Sequence, residues 1–487
     1  MTDDSSTPPA LPRRDFIKVA GTGAGLFALG GAVPPSDPPV PGLARKRSIP
    51  SANPSSDIVV IGAGAWGSFT ALNLQRSGAK VTLVDAYGPG NARSTSGDET
   101  RGVRSSYGDR PGAQGDLWTL WAREAIRKWI AFDDEWGRHF RLNLFHTTGD
   151  LIMRAEWDNF QLRTKVWWEK NKIPFQVLKP DDVRKAFPVI SMDDITAILY
   201  EPDAGVVRAR RSAQTAAAVF ETLGGKIVIG RATPGRISEG RLQEITLDTG
   251  ATLRADTFVF AVGPWMSKTF PDLLAKKTRA PMGYVCYFAT PVNDHRFTFP
   301  NLPSYNFPGV TGWAALPVDN RGFRVRGTER APGDAATAGP GEAGGRGGAG
   351  GRGGQAADVP PQQLDPDTSD RWADAERVAG SRRFITHRFP LLRDAPLSQT
   401  HACHYESTSS GNFIVDKHPQ MSNAWIVAGG NAEGFKFSPV IGEYASRRVI
   451  GTERGDTEIA KGFRIPEKEY DPPPAPGDST ARRPPGP

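Results

Sequence analysis

Cysteine is scarce in this chain: two residues of 487. That excludes a disulfide-built scaffold and leaves room for one bridge at most. Around Cys403 no second cysteine is within reach in sequence, and the nearby histidines lack ligand spacing, so no metal motif is readable there. A membrane-spanning run is missing as well. The apolar stretch from Val19 to Val33 is too short and too glycine-rich to cross a bilayer stably. Dense Lys/Arg tracts interleaved with aromatics are absent, although the net charge is +7. Basic residues scattered in this way predict solubility and affinity for anionic small molecules, and no nucleic-acid partner.

The first residues read as an address. "PRRDFIKVAGTGAGLFALGGAV" sets Arg13 and Arg14 before Phe16, Lys18 and a mildly apolar stretch. That order matches a twin-arginine export signal and predicts a partner in the twin-arginine machinery. The protein is then periplasmic or secreted. Arg45, Lys46 and Arg47 follow. Because this route carries folded proteins, it hints at a cofactor bound before export. Residues 1–56 are therefore set aside as signal and Pro/Ser-rich linker.

Structure is expected from Asp57. "DIVVIGAGAWGSFTALNLQRSGAKVTLVDAYGPG" is an apolar run, a glycine turn, an amphipathic stretch and a second apolar run ending at Asp85. This is a βαβ unit. Helices are predicted over 115–135, 156–172 and 369–384, and an αβ stretch over 212–230. Strands are predicted in "TFVFAVGPW" (257–265) and "GFRVRGT" (322–328), with a hairpin around 401–428. The run "GPGEAGGRGGAGGRGG" cannot bury a core, so 331–368 reads as a disordered insertion. Its few Arg-Gly units are too little for RNA binding. A Pro-rich tail begins near 465.

Gly62, Gly64 and Gly67 form G-x-G-x-x-G between strand and helix. The first allows a tight turn, the second lets backbone approach a pyrophosphate, and the third lets helix pack on strand. With 54 glycines in the chain, the spacing alone would be weak. The strand before, the helix after and Asp85, placed to accept ribose hydroxyls, make it a dinucleotide site. The motif does not choose between FAD and NAD. Two later strand–glycine turns, "FVFAVGPW" and "WIVAGGNAEG", suit the longer FAD.

"SGDETRGVRSSYG" (96–108), the segment "HACHYESTSSGNFIVDKHP" (401–419) and "GFKFSPVIGE" (434–443) together resemble the monomeric sarcosine oxidase and N-methyltryptophan oxidase family, within the D-amino-acid oxidase superfamily. The likeness runs from about Asp57 to about Gly462. It implies an α/β fold (α+β overall), with a Rossmann-like FAD-binding domain built from 57–140, 200–267 and 400–463. A mainly β-sheet substrate domain, discontinuous in sequence, would take 141–199 and 268–399, leaving 464–487 as the Pro-rich tail. The implied activity is FAD-dependent oxidation of the C–N bond of an amino acid or N-substituted amino acid by a monomer. The electrons go to O2, or to a quinone or carrier in a dehydrogenase. A non-catalytic flavin-binding protein is the remote alternative.

Cys403 by itself reads as a small buried residue, since free cysteine packs like a small hydrophobe. The resemblance implies instead a covalent tether to the FAD 8α carbon, which would raise the flavin's potential and prevent its loss. It further implies that Arg104 and Lys436 bind the substrate carboxylate and that Arg101 lies beside the flavin ring. Thr100 and Ala232 join the glycines and Asp85 as cofactor contacts. Gly434, Phe435 and Lys436 would aim backbone N–H groups at the flavin O2 edge. Arg324 stands where the family carries an O2-activating lysine, and Glu433 where it carries a histidine. Glu433 is expected to pair with Lys436 at i+3 or with a substrate cation. Ala314 and Ala315 imply a roomier pocket. Cys286 reads as core.

Overall fold

The computed structural model describes residues 57–110, 112–137, 139–140, 142–317, 321–329 and 365–470. The twin-arginine segment, most of the glycine-rich insertion and the end of the Pro-rich tail lie outside these.

A six-stranded sheet forms the first layer system. Its order is Ile414–His418, Met421–Ala428, Thr257–Phe260, Asp57–Ile61, Lys80–Asp85 and Lys226–Ile229. All neighbours are parallel except the first pair, which is an antiparallel hairpin. A parallel sheet buries both faces, and the central strand shows it. Ile58 and Val60 enter one apolar core, while Val59 and Ile61 enter another. The helix Ala65–Arg76 packs on this sheet between Ala209–Thr222 and Ser438–Val449.

An eight-stranded, mostly antiparallel sheet forms the second. Its order is Leu397–His404, Met282–Phe288, Phe323–Arg326, Val310–Trp313, Ser304–Phe307, Asp150–Arg154, Ala197–Glu201 and Gln176–Val177. Side chains alternate between faces with period two. Cys286, Phe288, Phe323 and Val325 point into a core that also holds Phe384 and Ile385 of the helix Ala375–Arg388. Gly283, Val285, Arg324, Arg326, His401 and Cys403 point the other way, toward a cavity shared with the first sheet. The mixed α/β architecture expected from sequence is present, and Cys286 is core.

Three local expectations are corrected. The hairpin expected around 401–428 covers only its second half. Leu397–His404 pairs with Met282–Phe288, Cys403 opposite Gly283, and the hairpin starts only at Ile414. The helix expected over 369–384 runs Ala375–Arg388, because Asp374 caps it by accepting the Arg377 N–H at 2.8 Å. Residues 365–368, counted with the insertion, are placed. Asp365 and Asp367 hold Lys268, and Asp367 also accepts from Arg231 at 3.0 Å and from Trp265 Nε1 at 2.8 Å. These contacts give a glycine-poor end of the insertion enough charge-assisted bonding to dock.

Candidate cofactor and active site

A cavity of about 450 Å³ lies between the two sheets. At one end stands the glycine turn. Gly62 has φ +102°, and a Cβ there would meet the Ala261 carbonyl oxygen at 2.4 Å. A Cβ on Gly67 would meet the Gly62 oxygen at 1.8 Å, so helix and strand touch only through glycine. Gly64 faces the cavity, where its nearest neighbour would be Ser96 Oγ at 3.5 Å. Asp85 lines the same end. Its oxygens accept the Ala63 N–H at 2.7 Å and the Tyr87 N–H at 2.8 Å. Burial raises this carboxyl above its ordinary value, with the backbone donors partly offsetting it. Oδ1 also accepts from Asn91 Nδ2 at 3.3 Å, so Asp85 braces the glycine turn and the loop after it, and its spare acceptor capacity is on Oδ2. Tyr87, Arg231, Ala232 and Trp265 complete this end.

The other end is crowded with charge. Asp98 and Arg324 are each only 2 % exposed in their side chains. Asp98 pairs with Arg101 Nη1 and lies 3.3 Å from Arg324 Nη2, and it accepts the Tyr287 hydroxyl at 3.0 Å. Burial disfavours the Asp98 carboxylate, but Arg101 and Arg324 override it and hold its pKa far below the usual range. Arg324 also lies over the Trp313 ring, 4.1 Å from its centroid. Arg101 Nη2 reaches Cys403 Sγ at 3.3 Å. Burial would raise that thiol, yet Arg101 and His401 bring it below its ordinary value. Arg326 lines the same end. Burial and the Arg324 and Arg101 charges lower it to about 10, so it stays charged at neutral pH.

The roof is the turn from Val427 to Phe435. Trp66 Nε1 donates to the Gly434 carbonyl at 2.8 Å, and a Cβ on Gly434 would meet Trp66 Cζ2 at 2.7 Å. Phe435 stacks on Trp129 with 5.7 Å between centroids. Both Gly434 and Phe435 line the cavity, at the start of the short 3-10 helix Gly434–Phe437.

The sequence-predicted residues therefore divide. Gly62, Gly64, Asp85, Arg101, Ala232, Arg324, Cys403, Gly434 and Phe435 line one cavity, with Gly67 just behind. Thr100, Arg104, Lys436 and Glu433 do not line it. Thr100 accepts the Trp313 Nε1 proton at 3.1 Å. Arg104 is drawn toward the buried Asp150, 3.9 Å away. Lys436 Nζ bonds the Tyr107 hydroxyl at 2.9 Å. Arg104 follows directly on the strand Thr100–Val103, which packs against the Gly434–Phe437 turn carrying Lys436. Glu433 has its charge answered by Arg110, not by Lys436 as the i+3 spacing suggests. Glu433 precedes the 3-10 turn with φ −127°, Lys436 Nζ goes to Tyr107, and Arg110 is fixed over the Trp118 ring at 4.4 Å. Ala314 packs in the core of the eight-stranded sheet, so its small size does not enlarge the cavity. Sequence reasoning missed Asp98, Arg326 and Glu406, all lining the cavity. Only Asp98 left a trace, as an acid three residues before Arg101.

Among the described residues no group of three His, Cys, Asp or Glu side chains could hold a metal. The cavity instead fits a dinucleotide that ends in a flavin. It has a glycine cradle open at Gly64, a carboxylate with spare acceptor capacity, and a thiol under an arginine at the far end.

Comparison with known proteins bears on the same residues. Residues 57–448 match the family described as FAD dependent oxidoreductase. The chain is 25% identical over 410 residues to monomeric sarcosine oxidase of Bacillus sp. (strain B-0618), covering 81% of this chain and 92% of the relative. It is 22% identical over 443 residues to L-saccharopine oxidase of Schizosaccharomyces pombe, covering 85% and 94%. The fold superposes on fructosamine oxidase (Amadoriase II) from Aspergillus fumigatus with a TM-score of 0.67 at 19% identity, covering 85% and 90% of the two chains. The chain belongs to the family of FAD dependent oxidoreductases.

Proposed function

We propose that this enzyme oxidises the C–N bond of an amino acid or N-substituted amino acid and passes the electrons to O2, giving H2O2. The observation that carries the reading is the charged end of the cavity, where Arg101 and Arg324 hold Asp98 and Arg326 lines the same wall as the Cys403 thiol. The surplus positive charge suits a ring that becomes anionic when reduced. The sarcosine and saccharopine oxidases among the relatives support the substrate class.

FAD, when bound, accepts the hydride equivalent from the substrate α-carbon. The chain's own residues do the rest. Arg104, just past its strand, and Lys436, on the turn packed against that strand, stand behind the cavity lining, and would hold the substrate carboxylate by turning to it from Asp150 and Tyr107. The resulting imine takes up water and releases the amine and a carbonyl compound. O2 takes two electrons and two protons to become H2O2. Cys403 is the tether for the flavin, and its lowered pKa favours the nucleophilic thiolate. Export through the twin-arginine route is proposed on Arg13 and Arg14.

A second reading is a dehydrogenase that hands electrons to a quinone or carrier. The Asp98 carboxylate favours it, because it cancels part of the Arg324 field that would stabilise reducing O2. A panel of amino acids and N-substituted amino acids, scored for peroxide and for dye reduction, separates the two. Peroxide with a carboxylate substrate, and a raised KM for it in Arg104→Gln, support the first. Dye reduction without peroxide supports the second.

A further inference from the structure

Glu406 lies three residues beyond Cys403 and lines the same cavity. It is 5 % exposed. Oε2 accepts the Gly429 N–H at 2.6 Å. Oε1 is buried and has no hydrogen-bond partner. A buried polar atom left in this way is destabilising until something partners it.

The surroundings are built, not loose. The Glu406 carbonyl accepts the Asn431 N–H at 2.7 Å, and Asn431 Oδ1 accepts the Thr408 N–H at 2.9 Å. Gly429, Asn431 and Ala432 have φ of 79°, 46° and 59°. Two of these are not glycine, so packing holds the cavity roof itself in a strained turn. Charge nearby is committed elsewhere. Glu433 is paired with Arg110, and Arg279 lies over the Tyr470 ring. The Tyr470 phenol bonds Ser407 and is raised by burial, with Glu406 adding to the rise. Burial lifts the Glu406 carboxyl to about 8, the Gly429 N–H lowering it only in part. At neutral pH it is mostly a neutral acid, able both to donate and to accept.

We propose that Glu406 is a flavin-contacting residue whose carboxyl offers the ring's polar edge the one oxygen that no protein group satisfies. A neutral acid there places no negative charge against the reduced ring. A carboxylate would oppose that charge and lower the flavin's potential. Gly429 is braced by one oxygen and the cofactor is met by the other. The inference needs FAD in the cavity but not any particular substrate.

The test uses the FAD-loaded enzyme and its Glu406→Gln variant, which keeps an acceptor for Gly429. Flavin absorbance is followed across pH, and midpoint potentials are measured below and above the transition. The wild type should show a band shift titrating near 8, with a potential that falls more steeply with pH above it. E406Q should show neither. The same titration in both proteins would overturn the proposal. If E406Q fails to load flavin, the infrared difference spectrum of wild type on reduction decides. A carboxylic-acid C=O band that shifts on reduction below the transition, and that appears on reduction just above it as the carboxylate takes up a proton, supports the assignment. A difference spectrum with no such band overturns it, since a purely structural brace would not sense the ring's charge.

Discussion

Replacing Asp98 with Asn tests the electrostatic argument most sharply. The carboxylate sits between Arg101 and Arg324, with Tyr287 donating to it and Glu99 N–H at 2.8 Å. Asn keeps the shape and removes the charge. Two guanidiniums then remain buried beside Arg326 with no counter-charge between them. Removing one partner of a buried pair costs about 3–5 kcal/mol. The sign with pH follows from the depressed carboxyl. Its stabilisation is fully present above the unfolded-state value near ~4 and is lost as pH falls toward the folded-state value. Urea unfolding of wild type and D98N should therefore differ by about 3–5 kcal/mol at neutral pH. The gap should shrink progressively in acid. Equal stability at neutral pH, or a gap that widens in acid, would refute the reasoning.

Four further outcomes follow from named contacts. Denatured wild type should carry flavin fluorescence on a gel, and Cys403→Ser should lose it; fluorescence that survives the substitution rules out the thioether. Arg324→Lys should speed flavin reoxidation by O2, because a lysine cannot both hold Asp98 and stack on Trp313; an unchanged rate removes Arg324 from that role. Glu433→Gln leaves Arg110 without its carboxylate, so stability should fall by about 1–3 kcal/mol, while affinity for basic and neutral substrates changes equally; a selective loss for basic ones would return Glu433 to the substrate. Changing Arg13 and Arg14 to Lys should hold the protein in the cytoplasm, and unaltered export would show that the pair is no signal.

What could be read from sequence was whatever is enforced locally. Gly62 and Gly67 must be glycine because backbone occupies the space of a Cβ, and that constraint is written within six residues. Asp85 ends its strand and shows the same locality. The partner of the Cys403 strand was hidden, since Leu397–His404 pairs with Met282–Phe288 from far back in the chain. The Asp98–Arg324 bridge spans 226 positions and Arg110–Glu433 spans 323. Such pairs follow from the closure of the two sheets on one another, not from spacing. Glu406 was passed over for a related reason. A glutamate in "CHYESTSS" reads as solvated until burial and a left-handed turn make it an unsatisfied acid.

The central claim is that the cavity between the sheets holds FAD that an amino acid or N-substituted amino acid reduces. Its most direct test is the visible spectrum of the purified protein, recorded without oxygen before and after substrate is added. The account predicts flavin bands that bleach with at least one carboxylate-bearing amine and return on admitting an acceptor. Flavin bands that no such amine bleaches, or a protein purified and reconstituted without flavin bands, would contradict it.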